Sequence, residues 1–211
     1  MNPNTLALFK STPGAMSVTE GTALHRLAML APNGLKVESG THSGKSAIAA
    51  ASGFPQPGNW FHLIDPDFKL PQQSYYATIS AASDGRVTPI LHHGLSGEIL
   101  PFLPDQYGAE FAFVFLDSGE HTYDLCRAEC DAVIPRMVRG GILAFHDYLS
   151  QFTGVEKCYN EVLGSGQFEE IVIPWENIVA EVERDGLELG NNTYHHPELA
   201  NPQFLGALRK L

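Results

Sequence analysis

Short apolar runs alternate with amphipathic stretches along this chain, and the longest runs stop on a charged residue or a glycine. Leu24, Leu27, Ala28 and Leu30 recur near helical spacing, which predicts a helix over 18–30 that Pro32-Asn33-Gly34 stops. A strand is expected at 35–39, then a tight glycine turn and a helix from Ala47. After the break at 55–58, Trp60-Phe61-His62-Leu63-Ile64 reads as a buried strand ending on Asp65. A helix suits 70–82, a strand 87–91 and a short helix 96–103, with 104–108 as a loop. Phe111-Ala112-Phe113-Val114-Phe115-Leu116 is continuously apolar, the mark of a central strand covered on both faces, and ends on Asp117. A helix over 121–137 follows, and Gly140-Gly141 then turns into a strand over 142–145 that runs out at His146-Asp147. A helix at 153–163 and strands at 168–173 and 178–183 complete the pattern, with an irregular tail from about 190.

Strands alternating with helices imply an α/β fold: a Rossmann-like, mostly parallel sheet of seven strands with helices on both faces, joined by right-handed crossovers. We read residues 1–211 as one domain, with an N-terminal helical segment over about 1–33. Ligands of such sheets sit beyond the carboxyl ends of the strands. The residues to watch are therefore Glu38 with the glycine turn, Asp65, the Gly94-Leu95-Ser96 turn, Asp117 and His146-Asp147.

Charge and cysteine content narrow the function. Twenty-four acidic against 13 basic residues give a formal charge of −11, which opposes the counterion release that drives nucleic-acid binding, so no nucleic-acid partner is expected. No apolar run reaches the ~18 to 20 residues of a membrane span, and no signal-peptide order opens the chain; a cytoplasmic protein without membrane contact is expected. Cys126, Cys130 and Cys158 include no Cys-x-x-Cys pair and read as buried helix cysteines in a reducing compartment. The glycosylation-like Asn191-Asn192-Thr193 reads as a polar turn, and the pairs His92-His93 and His195-His196 as solvated turns.

The richest stretch is Glu38-Ser39-Gly40-Thr41-His42-Ser43-Gly44-Lys45-Ser46, a strand turning into a helix where glycine permits positive φ and close backbone approach. Gly44-Lys45-Ser46 copies the end of a P-loop, but the glycine required four residues before Gly-Lys is Ser39, so the loop is too short to wrap a phosphate. A dinucleotide fingerprint is missing too, since the spacing is Gly40-x-x-x-Gly44. Lys45 and Ser46 then open the following helix.

Taken in order, Glu38-x-Gly40-x-x-x-Gly44-x-Ser46, Leu63-Ile64-Asp65-Pro66 and His93-Gly94-Leu95-Ser96 resemble the class I S-adenosylmethionine-dependent methyltransferases. Asp117-Ser118-Gly119-Glu120-His121-Thr122-Tyr123 and Gly140-Gly141-Ile142-Leu143-Ala144-Phe145-His146-Asp147-Tyr148 are similar to segments of the small-molecule O-methyltransferase branch. The resemblance implies transfer of a methyl group from S-adenosylmethionine to a hydroxyl of a small-molecule acceptor. It further implies cofactor contacts from Glu38, Gly40, Thr41, His42, Ser43, Gly44, Asp65, Ser96 and Asp117, with Asp65 on the ribose hydroxyls and Ser96 near the adenine. The alternatives are a helix cap for Asp65 and a surface salt bridge for Glu38.

Methyl transfer to oxygen requires alignment and removal of a proton. Two routes suit the acceptor side. Mg²⁺ held by Asp117, His146 and Asp147 would lower the acceptor's pKa, or His121 would act as general base, with Asp117 and Asp147 as further catalytic candidates. The chain departs from metal-dependent relatives in two ways: His146-Asp147 replaces an oxygen-donating pair, and Ser118 stands where the aspartate aligns when counted back from His121. Otherwise His121 would cap or pack a helix and His146 would be a buried strand histidine. A non-catalytic nucleoside-binding relative and a P-loop NTPase are the rival functions, and a homo-oligomer packed through the tail is compatible with the sequence.

Overall fold

The computed structural model describes residues 1–185 and 204–211. In chain order the elements are α1 (Pro3–Ser11), α2 (Val18–Met29), β1 (Leu35–Ser39), α3 (Lys45–Gly53), β2 (Asn59–Asp65), α4 (Gln72–Ala82), β3 (Val87–His93), α5 (Ser96–Ile99), α6 (Leu103–Tyr107), β4 (Phe111–Leu116), α7 (Tyr123–Val133), β5 (Met137–His146), α8 (Thr153–Gly164), β6 (Phe168–Glu170), α9 (Trp175–Arg184) and β7 (Leu205–Lys210). The strands form one sheet in the order β3-β2-β1-β4-β5-β7-β6. Every pairing from β3 to β5 is parallel, and β7 runs antiparallel to both β5 and β6.

Alternation along the central strand divides the interior in two. Phe113 and Phe115 on β4 join Phe61, Phe54, Leu24 and Ile48 in a core beneath α1 to α4 and α9. Val114 and Leu116 join Val37, Leu143, Phe145 and Tyr159 beneath α7 and α8. Each six-carbon ring withdrawn from water supplies about 2 to 3 kcal/mol, so this doubly covered strand anchors the sheet. The chain reverses its winding direction between β1 and β4, which makes the space beyond their carboxyl ends the place where such sheets bind ligands.

The seven-stranded, mostly parallel architecture agrees with the sequence expectation, as do α8 and the start of β6; the identity of the last strand does not. Residues 178–183 form part of α9 rather than a strand, because the buried residues Ile178 and Val182 are four apart and share a helix face. The seventh strand is β7, in the segment expected to be irregular: Leu205, Ala207 and Leu208 are buried, and Gly206 lies against the rings of Tyr148 and Tyr159. The expected loop at 104–108 is largely α6, with proline in its first turn where a missing N–H costs nothing. β5 begins at Met137, before Gly140-Gly141, with its register against β4 shifted between Phe111 and Phe113. The Asn191-Asn192-Thr193 triplet, the His195-His196 pair and most of the expected tail lie outside the described residues. Among the described residues no helix is long and apolar enough to cross a membrane.

Two histidines, His62 buried and His25 half-buried, are pushed toward the neutral form. Burial pushes His62 down to about 3, aided by His92, whose Nε2 is 3.0 Å from His62 Nδ1; His92 thus belongs to a buried pair rather than a solvated turn. Burial likewise pushes His25 down to about 4, with its Nδ1 2.7 Å from Ser52 Oγ. The unfolded chain binds these protons near pH 6.5 and the folded chain does not, so this stability is complete above 6.5 and lost as the pH falls. Denaturant unfolding at pH 7 and pH 5 is expected to show a loss in which His62 accounts for on the order of 2 kcal/mol. His62→Phe is expected to shrink that loss; an unchanged difference between the two pH values would exclude His62 as its source.

Candidate active site at the sheet switch point

The glycine turn is shaped by one close approach. Gly40 has φ +85°, and a Cβ there would overlap the carbonyl of Asp117, so β1 and β4 are held together just beyond their last paired residues. Its N–H donates to Ile64 O at 2.9 Å. Gly44, at φ +79°, is the N-cap of α3 and lies against the Tyr75 ring. Helix α3 therefore starts at Lys45, as the sequence suggested, and Lys45 Nζ donates to Gly14 O at 3.2 Å and lies 5.0 Å from the Phe9 ring centre. That lysine is held by the N-terminal segment, unlike a phosphate-binding P-loop lysine.

Glu38 is fully buried at the end of β1, which excludes a surface salt bridge. Ser46 Oγ donates to its Oε1 at 3.0 Å, and Thr41 lies close enough to lower its pKa, although neither Oε2 nor the buried Thr41 Oγ1 makes a hydrogen bond of ordinary geometry. Burial raises the Glu38 pKa well above the ordinary range, and the neighbouring charges of Asp117 and Asp65 add to the effect. A buried carboxyl oxygen with no partner costs about 1 to 3 kcal/mol, so Oε2 is open to a donor from a bound ligand.

Asp65, at the end of β2, braces the turn: Oδ2 accepts from His42 N and Oδ1 from Asp67 N, both at 2.7 Å. Each oxygen retains a lone pair for a further donor. Ser96 is buried at the start of α5. Beside it lies a group that the sequence reading missed: Glu129 on α7, 1% exposed, accepts from Ser39 Oγ at 2.6 Å and from Ser118 Oγ. Burial raises its pKa, against hydrogen bonds from Ser118, Ser39 and Ser96 that lower it. Glu129 thus fastens the ends of β1 and β4 to α7 from below. Charge within an amphipathic helix reads as solvent-facing, so only the apolar residues one turn to either side, Cys126 three before and Val133 four after, could have marked this face as inward.

The acceptor-side candidates also converge. His146 is 4% exposed, with Nδ1 3.1 Å from Asp117 Oδ1 and 3.0 Å from Asp147 Oδ2. Burial disfavours its charge, but the two carboxylates outweigh burial and hold its pKa well above the usual value. The two carboxylates thus favour a proton on His146 Nδ1, which sits between Asp117 and Asp147 and not on a backbone carbonyl. Its Nε2 is 3.9 Å from Oε1 of Glu20, a second buried acid missed in the sequence. Glu20 closes the capping box of α2 through Ser17 N at 2.9 Å and also accepts from Phe204 N at 3.1 Å. His121 places Nδ1 3.4 Å from Asp147 Oδ2, and its ring packs 4.3 Å from that of Phe152. His42, His121 and Asp147 adopt positive φ, at +48°, +47° and +58°, as do Asp84 and Leu149 outside the cleft.

A cleft of about 320 Å³ joins the two halves, bounded by Pro13 to Met16 on one side and by the glycine turn, Asp117, His121 and Asp147 on the other. Asp117, His121 and Asp147 each offer a ligand atom within 4.8 Å of the others; His121, rather than His146, completes that set.

Sheet order, reversed last strand and a ligand cleft at the switch point define the class I methyltransferase fold. Residues 37–148 match the family model described as "Methyltransferase domain", over half of the chain, and the protein belongs to that family. Among solved structures, an O-methyltransferase from Bacillus cereus in complex with SAH aligns at TM-score 0.64 with 15% identity, over 100% of this chain and 92% of that one. TomG from Streptomyces achromogenes, an O-methyltransferase of tomaymycin synthesis in complex with SAM, aligns at 0.60 with 19% identity over 81% and 82%. CalS11, a TDP-rhamnose 3'-O-methyltransferase of calicheamicin biosynthesis, aligns at 0.61 with 19% identity over 90% and 76%. No curated protein matches the sequence.

The closeness of Gly40 to Asp117 is testable by itself. Gly40→Ala is expected to cost about 2 to 4 kcal/mol in denaturant unfolding, because both φ and the carbonyl oppose a side chain. Gly97→Ala, which meets open space, is the control and is expected to be neutral. Equal stabilities for the two variants would mean that β1 and β4 are not locked at this point.

Proposed function

We propose that the protein is an S-adenosylmethionine-dependent methyltransferase acting on a hydroxyl group of a small molecule. The observation that carries this reading is the unsatisfied Glu38 Oε2 and Thr41 Oγ1 beside a glycine turn that shares one cleft with Asp117, His121 and Asp147. The acidic strand ends Glu38, Asp65, Asp117 and Asp147 favour a cationic ligand and repel a triphosphate. S-adenosylmethionine, when bound, supplies a methyl group activated by a positively charged sulfur. The backbone over 40–44 would cradle its amino-acid part, with Glu38 and Thr41 supplying acceptors, and the remaining lone pairs of Asp65 would take the ribose hydroxyls. Ser96 would stand near the adenine. The relatives named as O-methyltransferases support oxygen as the acceptor atom.

On the acceptor side, His121 would take the hydroxyl proton as the oxygen forms its bond to the methyl carbon and the carbon–sulfur bond breaks. Asp147 would orient His121 through Nδ1 and stabilise the imidazolium that results. His146, with Nδ1 between Asp117 and Asp147, would keep those carboxylates fixed. The 320 Å³ volume suits a small acceptor, and the segment over 13–16 would select it. The net charge of −11 supports a reading without nucleic acid, and we place the enzyme in the cytoplasm.

Metal assistance is the second reading, favoured by the convergence of Asp117, His121 and Asp147. Two carboxylates and an imidazole suit a borderline ion such as Mn²⁺ better than Mg²⁺, which prefers oxygen, and His146 Nδ1 already sits between the two carboxylates. The donor set therefore fits Mg²⁺ poorly.

Calorimetry with S-adenosylhomocysteine and ATP tests the nucleoside. Binding of the first and not the second is expected, with Asp65→Ala weakening it roughly 10- to 100-fold; ATP binding alone would end the methyltransferase reading. For the chemistry, His121→Ala is expected to lower kcat by about 10²- to 10⁴-fold while leaving nucleoside affinity intact. Activity abolished by EDTA and restored by Mn²⁺ would replace the base route with the metal route.

A further inference from the structure

A second chemical cluster lies outside the cleft. Cys126 and Cys130 stand one turn apart on α7, and Cys158 comes from α8; their sulfurs all lie within 4.8 Å of one another, and Cys130 and Cys158 are 3.6 Å apart. All three are buried and none is in a disulfide. Packing alone explains two cysteines on one inward helix face, but does not require a third thiol from another helix to converge on them. Three sulfurs around one ion at about 2.3 Å would stand roughly 4 Å from each other, which is the spacing observed. The triad holds no carboxylate or imidazole, so hard ions have nothing to bind, whereas sulfur selects soft ions. A cavity of about 10 Å³, the size of one water, touches Cys126 on one side and Asp117 and His121 on the other, leaving room for a fourth ligand.

We propose that Cys126, Cys130 and Cys158 form a site for a single thiophilic d¹⁰ cation, Cu(I) or Zn(II), that ties α7 to α8. Each metal–sulfur bond forms as an S–H proton passes to solvent, so binding releases up to three protons and changes no oxidation state. Helix α7 begins two residues after His121, and α8 begins next to Phe152, whose ring packs on His121. An ion here would therefore stiffen the support of the His121 ring without touching the cleft.

The test is titration of the reduced, chelator-treated full-length protein, under nitrogen and in excess Mg²⁺, with Cu(I) as its acetonitrile complex and separately with ZnCl₂. The arm that applies is expected to saturate at one ion per chain, to release protons, and to give an X-ray absorption sulfur shell at about 2.3 Å. That last readout needs no variant. Cys130→Ala and Cys158→Ala are each expected to weaken binding at least 100-fold, while Glu176→Gln, at an exposed position of α9, leaves it unchanged. No stoichiometric binding in either arm, or a shell of nitrogen and oxygen alone, would overturn the proposal, as would undiminished binding by the cysteine variants.

Discussion

The meeting of Gly40 with the carbonyl of Asp117 is the constraint on which the site depends. It lies where the sheet reverses its winding, and it sets how far the ends of β1 and β4 can part. Because a side chain cannot fit there, the glycine turn and the first residue beyond β4 share one backbone contact. The two halves of the cleft, one at 38–46 and one at 117–147, are consequently positioned by the same point. Glu129 reinforces it from the other side by bonding Ser39 and Ser118, the residues that flank the contact.

Charge is organised around that point in an unusual order. Four acidic strand ends gather at one edge of the sheet, and one histidine, His146, whose pKa two of them raise, is buried among them. A buried pair is weak evidence for stability, since desolvation takes back most of the attraction, but removing one member leaves a costly charge behind. His146 is therefore better understood as a spacer that keeps Asp117 and Asp147 apart at a set distance than as a source of folding energy.

Much of this was legible in the sequence because strand ends are marked by abrupt changes in polarity. The run over 111–116 stops on Asp117, and the run from Ile142 to Phe145 gives way to His146-Asp147, so the predicted candidates did gather at one edge. The C-terminal elements were not legible. Trp175, Ile178 and Val182 are too few to separate a helix from a strand by period, and Leu205 to Lys210 gains its strand character from pairing with β5, a partner some sixty residues earlier. Glu20 and Glu129 escaped for another reason. Acidic residues on helices are normally solvated, and the partners that make these two acceptable inside, Phe204 and Ser39, lie 184 and 90 positions away.

The bond from Phe204 to Glu20 has a consequence for biosynthesis. Residues 35–117 contain the glycine turn and the strand ends that flank it, and they emerge from the ribosome well before β7. The surroundings of His146 are closed only when the last strand pairs with β5 and its leading amide reaches back to α2. During synthesis the glycine turn and its flanking strand ends are therefore complete in the chain before the segment that encloses His146, so the order of translation separates the two ends of the cleft.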